Sequence, residues 1–263
     1  MFIKKESQGC PLTSVWEGVF ASFEEAGGDK DAFESEIWLT KQKKKILDAY
    51  AAYKNGTGFF PTTISKESPL ALLISCLLTK RSDAKKVLIF DVGGSMGGHY
   101  LELLAKVPCA EKEVLYHIVE GAATLRHVPH DVRAMPSLSF SEKVGDVASC
   151  DVLHIGSTLQ YIEDWSSFLK RLLQTSPTYC VFSDLMVGEG PSFVSHQLFY
   201  DKKIPVQFLC FQDVHSFMND AGYELTYQSF FQADVFGSSI LPMKHLPQDK
   251  QIPFAKNLIF AKK

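Results

Sequence analysis

The sequence predicts an α/β fold: a Rossmann-like, doubly wound sheet, mostly parallel with an antiparallel C-terminal strand, behind an N-terminal helical cap. Three observations predict it. From about residue 83 onward, short apolar runs alternate with segments of helical period, the pattern of a parallel sheet with crossover helices. The first of those runs, Val87-Leu88-Ile89-Phe90-Asp91, passes directly into the glycine-rich turn Val92-Gly93-Gly94-Ser95-Met96-Gly97-Gly98. Both this run and the next one end on an acid, Asp91 and Glu120.

Residues 1–12 read as a loose lead-in that stops at Pro11. Trp16, Val19, Phe20 and Phe23 follow at helical spacing, and Gly27-Gly28 ends that segment. A second helix is expected from Asp31 to about Lys54, with Phe33, Ile37, Trp38, Ile46 and Tyr50 as its buried stripe. Lys41, Lys43, Lys44 and Lys45 read as its solvated face. Asn55 to Pro61 is a turn, and a third helix covers Pro69 to Thr79. These helices make residues 1–82 a cap that either roofs a site at the strand tips or packs plainly on the sheet. Residues 83–263 form the sheet domain.

Within that domain the glycine turn opens a helix near Met96 that buries Leu101, Leu104 and Val107. Glu113 to Glu120 is the second strand and Ser137 to Ser141 the third. Cys150 to Gly156 is the fourth, and Asp164 caps the helix after it. Tyr179 to Met186 is the fifth. Val187 to Cys210 breaks the rhythm with glycines, prolines and many aromatics, and is expected to be a substrate loop or lid. Gln212 to Ala221 is a helix stopped by Gly222. Tyr223 to Phe231 and Asn257 to Ala261 are strands that pair antiparallel at the sheet edge.

The bulk properties exclude several classes. The chain of 263 residues is 46% hydrophobic and 22% charged, as in soluble globular proteins. A net charge of −3 gives no global electrostatic case for nucleic acid. No apolar run is long enough to span a bilayer or to act as a secretory signal. The six cysteines are scattered without a C-x-x-C pair and read as reduced core residues of a cytoplasmic protein. His127-x-x-His130-Asp131 has metal-site composition, but Pro129 disturbs the ligand spacing, so no metal is expected.

The turn then narrows the ligand. A dinucleotide site wants G-x-G-x-x-G and places a pyrophosphate at the helix N-terminus. Here Ser95 stands at the middle glycine of that frame. The other frame, acid-x-G-x-G-x-G, fits as Asp91, Gly93, Ser95 and Gly97. An acid at the strand tip repels a pyrophosphate and suits an ammonium or hydroxyl donor. S-adenosylmethionine (SAM) offers an ammonium and no phosphate. Glu120, close to the ~20 residues past the glycine turn where a ribose carboxylate is expected, fits the hydroxyls of a nucleoside. Asp91 is expected to hold the amino-acid end of the same molecule.

This segment resembles motif I of the class I SAM-dependent methyltransferases, with Ser95 for the middle glycine. The runs F-D-V-G-G-S-M-G-G-H-Y, S-T-L-Q-Y-I-E-D-W and W-E-G-V-F-x-S-F-E-E-A extend the resemblance over most of the chain, to a bacterial family of methyltransferases from polysaccharide and natural-product pathways. Enzymes that close SAM into azetidine-2-carboxylate resemble this group too. The resemblance implies SAM as cosubstrate, with Gly93, Gly94, Ser95, Gly97, Glu120 and Gly121 around it. Phe140 and Ser141 would flank the adenine, Phe140 either stacking on the base or packing in the core. Ser157, Thr158 and Tyr161, after the fourth strand, would line the sulfonium and the acceptor. Tyr161 offers either its ring face or its hydroxyl to S⁺. His196, the imidazole of the expected lid, is a candidate general base, though a lone histidine also serves as a structural hydrogen-bonder.

Three functions follow. The first is methyl transfer to a small molecule, a sugar or a biosynthetic intermediate. The second is attack of SAM's own amino group on its γ-carbon, releasing methylthioadenosine. The third is a non-catalytic module that binds a partner protein through the cap. The sequence sets neither the acceptor nor the oligomeric state.

Overall fold

Seven strands in the order β10-β11-β6-β5-β2-β3-β4 form the main sheet of the computed structural model, and four more, β1-β8-β9-β7, form a second. The structure describes residues 15–29, 31–56, 68–81, 85–143, 149–231 and 240–263. In chain order these hold β1 (Trp16–Phe20), α1 (Phe23–Ala26), α2 (Glu36–Lys54), α3 (Pro69–Lys80), β2 (Val87–Val92), α4 (Gly98–Lys106), α5 (Ala110–Glu113) and β3 (Val114–Val119). Then follow α6 (Ala122–Arg126), α7 (His130–Arg133), β4 (Leu138–Ser141), β5 (Val152–Gly156), α8 (Trp165–Leu172), β6 (Tyr179–Leu185), β7 (Val187–Gly188), β8 (Phe193–Phe199) and β9 (Lys202–Cys210). The last elements are α9 (Phe211–Asp220), β10 (Tyr223–Phe231) and β11 (Ala255–Lys262). The expected lead-in at residues 1–12 and the Thr57–Pro61 part of the expected turn lie outside the described residues.

The five strands β4, β3, β2, β5 and β6 run parallel, and β11 pairs antiparallel with both β6 and β10. The apolar strand runs explain the burial: β5 is buried at every position and β2 at all but Leu88. A parallel strand covered by helices on both faces has no polar side to show. The chain leaves β2 toward β3 on one side and returns through β5 on the other. Their C-terminal ends therefore part at a switch point, where open α/β sheets hold ligands. Helices α2, α3 and α4 pack over one face, with Ile46, Ile74, Tyr100 and Leu101 in one core cluster. Leu169, Leu172, Val214 and Met218 of α8 and α9 fill the other face.

Two segments differ from expectation. Trp16–Phe20 is a strand, not a helix, and pairs antiparallel with β8. Its side chains alternate, with Trp16 buried and Glu17 exposed, and Gly18 sits at φ 80°, which no helix allows. The expected lid, Val187 to Cys210, is instead β7 and the hairpin β8–β9. Tyr200 and Asp201 close that hairpin, with Tyr200 at φ 57°. The turn lacks the Asn-Gly signature, and Pro205 inside β9 argues locally against a strand. Ile37, expected in the buried stripe of α2, is exposed; Leu39 and Ala49 take its place beside Ile46. Of the cysteines described, Cys150 and Cys180 are buried, whereas Cys76 and Cys109 are exposed. Among the described residues no helix is long and apolar enough to cross a membrane.

Candidate active site

A cavity of about 580 Å³ opens at the C-terminal ends of β2, β3, β5 and β6, walled on the far side by α2 and the start of α3. That volume suits a drug-sized ligand. Gly93, Gly94 and Ser95 line it from the glycine turn, Glu120 from the end of β3, and Ser157, Thr158 and Tyr161 from the segment after β5. Six of the residues expected around SAM thus meet in one place, with Tyr161 beside them.

Backbone strain converges there too. Ser95, Ser157 and Asp184 all adopt positive φ, at 52°, 51° and 54°, and all three line the cavity. Such conformations cost non-glycine residues about 1–3 kcal/mol each and persist where the surroundings impose them. Each sits at or just past a strand tip, where the chain turns to point backbone into the cavity. Gly93 is held at φ 74° beneath the Thr158 side chain, and a β-carbon there would overlap it.

Glu120 follows the last residue of β3 and lines the cavity. Its carboxylate accepts from the Ser95 amide at 3.0 Å and from its own neighbour Gly121 at 2.7 Å. The acid of one strand tip is therefore tied to the glycine turn of the next. Burial pushes its pKa up, and the two amide hydrogen bonds oppose that rise.

Asp91 stands elsewhere. It is fully buried and does not line the cavity. Its carboxylate accepts from His154 Nδ1 at 2.8 Å and from the Tyr116 hydroxyl at 2.8 Å, and His99 Nδ1 lies 3.5 Å away. Burial favours the neutral acid, but the His154 charge and hydrogen bond, then the nearby His99, outweigh it and hold the carboxyl well below the usual range. The expectation that Asp91 grips a ligand ammonium directly is corrected: β3 and β5 supply protein partners for both its oxygens. His154 is engaged at both nitrogens, its Nε2 lying 3.0 Å from Ser183 Oγ. Ligand-type atoms of Asp91, His99 and His154 lie within 4.8 Å of one another, a metal-like donor set in which His154 already bonds Asp91.

Asp184, at the tip of β6, does line the cavity. The Ser157 hydroxyl donates to it at 2.5 Å, and burial raises its pKa against that bond and the nearby His99. Tyr161 donates its hydroxyl to Gln197 Oε1 at 2.5 Å, Gln197 lining the cavity too, and meets Phe33 edge-on at 5.0 Å between ring centres. Burial, then the Asp184 charge, pushes its phenol well up, so it stays neutral. From α2, Trp38 and Lys45 line the opposite wall; burial, then the neighbouring Lys41, lowers the Lys45 ammonium.

Gly97, Gly121, Phe140, Ser141 and His196 do not line the cavity. Gly97 caps α4 at φ 100°. Phe140 lies under the Arg133 guanidinium at 5.3 Å, and Ser141 Oγ is 2.9 Å from His117 Nε2. His196 Nε2 is 2.9 Å from the Ala26 carbonyl, and its ring packs against Phe20 at 4.9 Å. It ties β8 to the end of α1.

Sequence reasoning missed His99, His154, Asp184 and Lys45. One signal was available: a histidine inside the otherwise apolar strand Val152-Leu153-His154-Ile155 must find a buried partner, and the buried acid was already in view.

No family model matches the chain, and no curated protein matches it. Solved structures do. LepI C52A in complex with S-adenosylhomocysteine (SAH) and a substrate analogue aligns with a TM-score of 0.51 at 13% identity, over 86% of this chain and 54% of that one. LepI in complex with SAM aligns with a TM-score of 0.50 at 12% identity over the same shares. The chain therefore spans about half the length of LepI. The magnesium protoporphyrin IX methyltransferase from Synechocystis PCC 6803, with bound SAM, is similar over 89% of this chain and 95% of that one, at 10% identity and a TM-score of 0.49. With its strand order and its antiparallel β11, this chain has the class I SAM-dependent methyltransferase fold.

Proposed function

We propose that the chain is an enzyme that binds SAM in this cavity and transfers its methyl group to a small-molecule acceptor. One observation carries the reading. Glu120, at the tip of β3, is fixed by the Ser95 amide of the glycine turn and faces a cavity of nucleoside size. A carboxylate so placed accepts both hydroxyls of a ribose. The backbone from Gly93 to Ser95 then runs along the amino-acid part. Asp184 takes the role first expected of Asp91, as the acid facing the ammonium. Tyr161 offers its ring face to the sulfonium, since its hydroxyl is engaged by Gln197. SAM brings an electrophilic methyl carbon, so the protein's main task is alignment, which supplies on the order of 7–11 kcal/mol in favourable systems. Residues 1–82 act as the cap, with α2 and the start of α3 as its contribution to the wall.

A second reading uses the same pocket. Asp184 and His99 lie close enough to influence each other's charge at the end of the cavity assigned to the methionine part. The amino group of SAM itself then has a carboxylate and an imidazole beside it, which suits intramolecular closure to azetidine-2-carboxylate.

Calorimetry with SAM and with SAH tests the pocket: binding is expected, and no affinity for either sinks both readings. Mass spectrometry of products from SAM alone separates them. Methylthioadenosine without an acceptor marks cyclisation; SAH that forms only with an added acceptor marks methyl transfer.

A further inference from the structure

We infer that His99 is the proton acceptor of this active site, its Nδ1 side backed by the buried carboxylate of Asp91 and its Nε2 edge presented to the cavity. The inference rests on the SAM-binding reading and adds to it the class of nucleophile: one that must lose a proton, a hydroxyl or an ammonium.

The geometry is built around this ring. His99 is in the first turn of α4, two residues past Gly97, and lines the cavity. Its Nδ1 is buried with no hydrogen bond of its own, at 3.5 Å from Asp91 Oδ2. A hydrogen bond across that gap would place the remaining proton on Nδ1 and the lone pair on Nε2. Gly156, at the tip of β5, makes room for it. A β-carbon on Gly156 would lie 2.5 Å from His99 Cε1 and 3.1 Å from Nε2. The His154 ring stands edge-on to His99 at 4.7 Å and holds the other Asp91 oxygen. One carboxylate, clamped by Tyr116 and His154, is thus left with a single direction in which to act on a cavity group.

The groups around the imidazole are Asp91 from β2, His154 from β5, Asp184 from β6 and Glu102 from its own helix. Glu102 is paired with Lys106 at 2.6 Å. Burial lowers the imidazolium pKa, but the close Asp91 carboxylate, then Glu102 and Asp184, outweigh it, so the net shift is upward. That makes His99 a stronger base than a free histidine. In the reaction the nucleophile's lone pair forms the new bond to carbon, and the sulfur leaves with the C–S electron pair as a neutral thioether. The nucleophile's proton passes to Nε2 and from there to solvent.

The test combines binding, titration and rate. Calorimetry with SAH is expected to give wild-type affinity for His99→Gln within about threefold; loss of SAH binding by the wild type itself would indict the SAM reading instead. Histidine NMR of the wild type is expected to show one imidazole titrating above ~6.5, assigned by its absence in His99→Gln and returning toward that value in Asp91→Asn. Turnover of SAM, with or without pathway extract as acceptor source, is expected to fall about 10²–10⁴-fold in His99→Gln. KM for SAM is expected to hold, and the alkaline-rising limb of the rate to vanish. His99→Asn serves if the glutamine variant does not fold. An unshifted His99 titration, a variant within threefold of wild-type turnover, or stoichiometric Zn²⁺ uptake lost in His99→Gln overturns the inference.

Discussion

His154 Nδ1 lies 2.8 Å from Asp91 Oδ1, and both side chains are at most 1% exposed. The pair joins the two central strands of the sheet at the point where the glycine turn leaves it. Removing one partner of a buried pair leaves the other unpaired, a loss of about 3–5 kcal/mol. Asp91→Asn is therefore expected to lower the urea midpoint strongly. The pH dependence has a definite sign. The folded carboxyl is held below its unfolded value, so its stabilisation is present above ~3.9 and lost as the pH falls further. Urea midpoints between pH 2 and 7 are expected to drop steeply at the acid end in the wild type, and less so in Asp91→Asn.

Asp184 carries the opposite sign. Burial raises its pKa, so the fold favours the protonated acid. That contribution is present below the unfolded value and lost as the pH rises through the folded one. Asp184→Asn keeps an oxygen for the Ser157 hydroxyl and removes the charge. It is expected to raise the melting temperature of the ligand-free protein at pH 7 by roughly 2–4 °C for each kcal/mol recovered. It is also expected to weaken SAM binding, because the ammonium loses its carboxylate. A variant that is both less stable and unchanged in affinity contradicts the assignment. Such a trade of stability for function is common where a site holds strained, buried charge.

Glu120 gives the cleanest binding test. Its two amide donors hold the side chain toward the cavity before any ligand arrives. Glu120→Ala removes a charged acceptor for the ribose hydroxyls. Hydrogen bonds to charged groups contribute about 1.5–3 kcal/mol, so affinity for SAH should fall roughly 10- to 150-fold by calorimetry. The sugar is common to SAM and SAH, so the two should weaken alike.

The contrast between Glu120 and Asp91 shows what a sequence of this kind reveals. Alternating apolar runs and their polar ends gave the sheet, its antiparallel edge pair and the position of Glu120, because each depends on a local period. The role of Asp91 depended on whether residues 63 positions away would reach it first, and His154 does. Nothing in the period of β5 distinguishes a histidine that faces a ligand from one that faces an acid. The β8–β9 hairpin was hidden for a related reason. Its pairing is fixed by packing on Trp16 and Phe208, 5.7 Å apart between ring centres, while its turn and its proline locally favour a loop.

His196 is expected to matter for folding and not for turnover. Its Nε2 bond to the Ala26 carbonyl and its contact with Phe20 are both outside the cavity. His196→Ala should cost stability of about 1–3 kcal/mol through the unsatisfied carbonyl and lost packing. SAH affinity, read by calorimetry well below the melting temperature, should not move. A large drop in turnover in a folded His196→Ala protein would return this histidine to the catalytic set.

Tyr161 separates ring from hydroxyl. The hydroxyl donates to Gln197 at 2.5 Å, so the part left for a ligand is the ring face, held edge-on by Phe33. A sulfonium over an aromatic face gains about 0.5–2 kcal/mol, whereas the neutral thioether of SAH gains none of the charge term. Tyr161→Phe should therefore keep the ratio of SAM to SAH affinity near its wild-type value. Tyr161→Leu, which fills similar space without a π-face, should shift that ratio against SAM by roughly 2- to 30-fold. If both variants weaken SAM and SAH equally, the tyrosine shapes the pocket and does not read the charge. If Tyr161→Phe alone reproduces the shift, the hydroxyl and its Gln197 partner, rather than the ring, face the sulfonium.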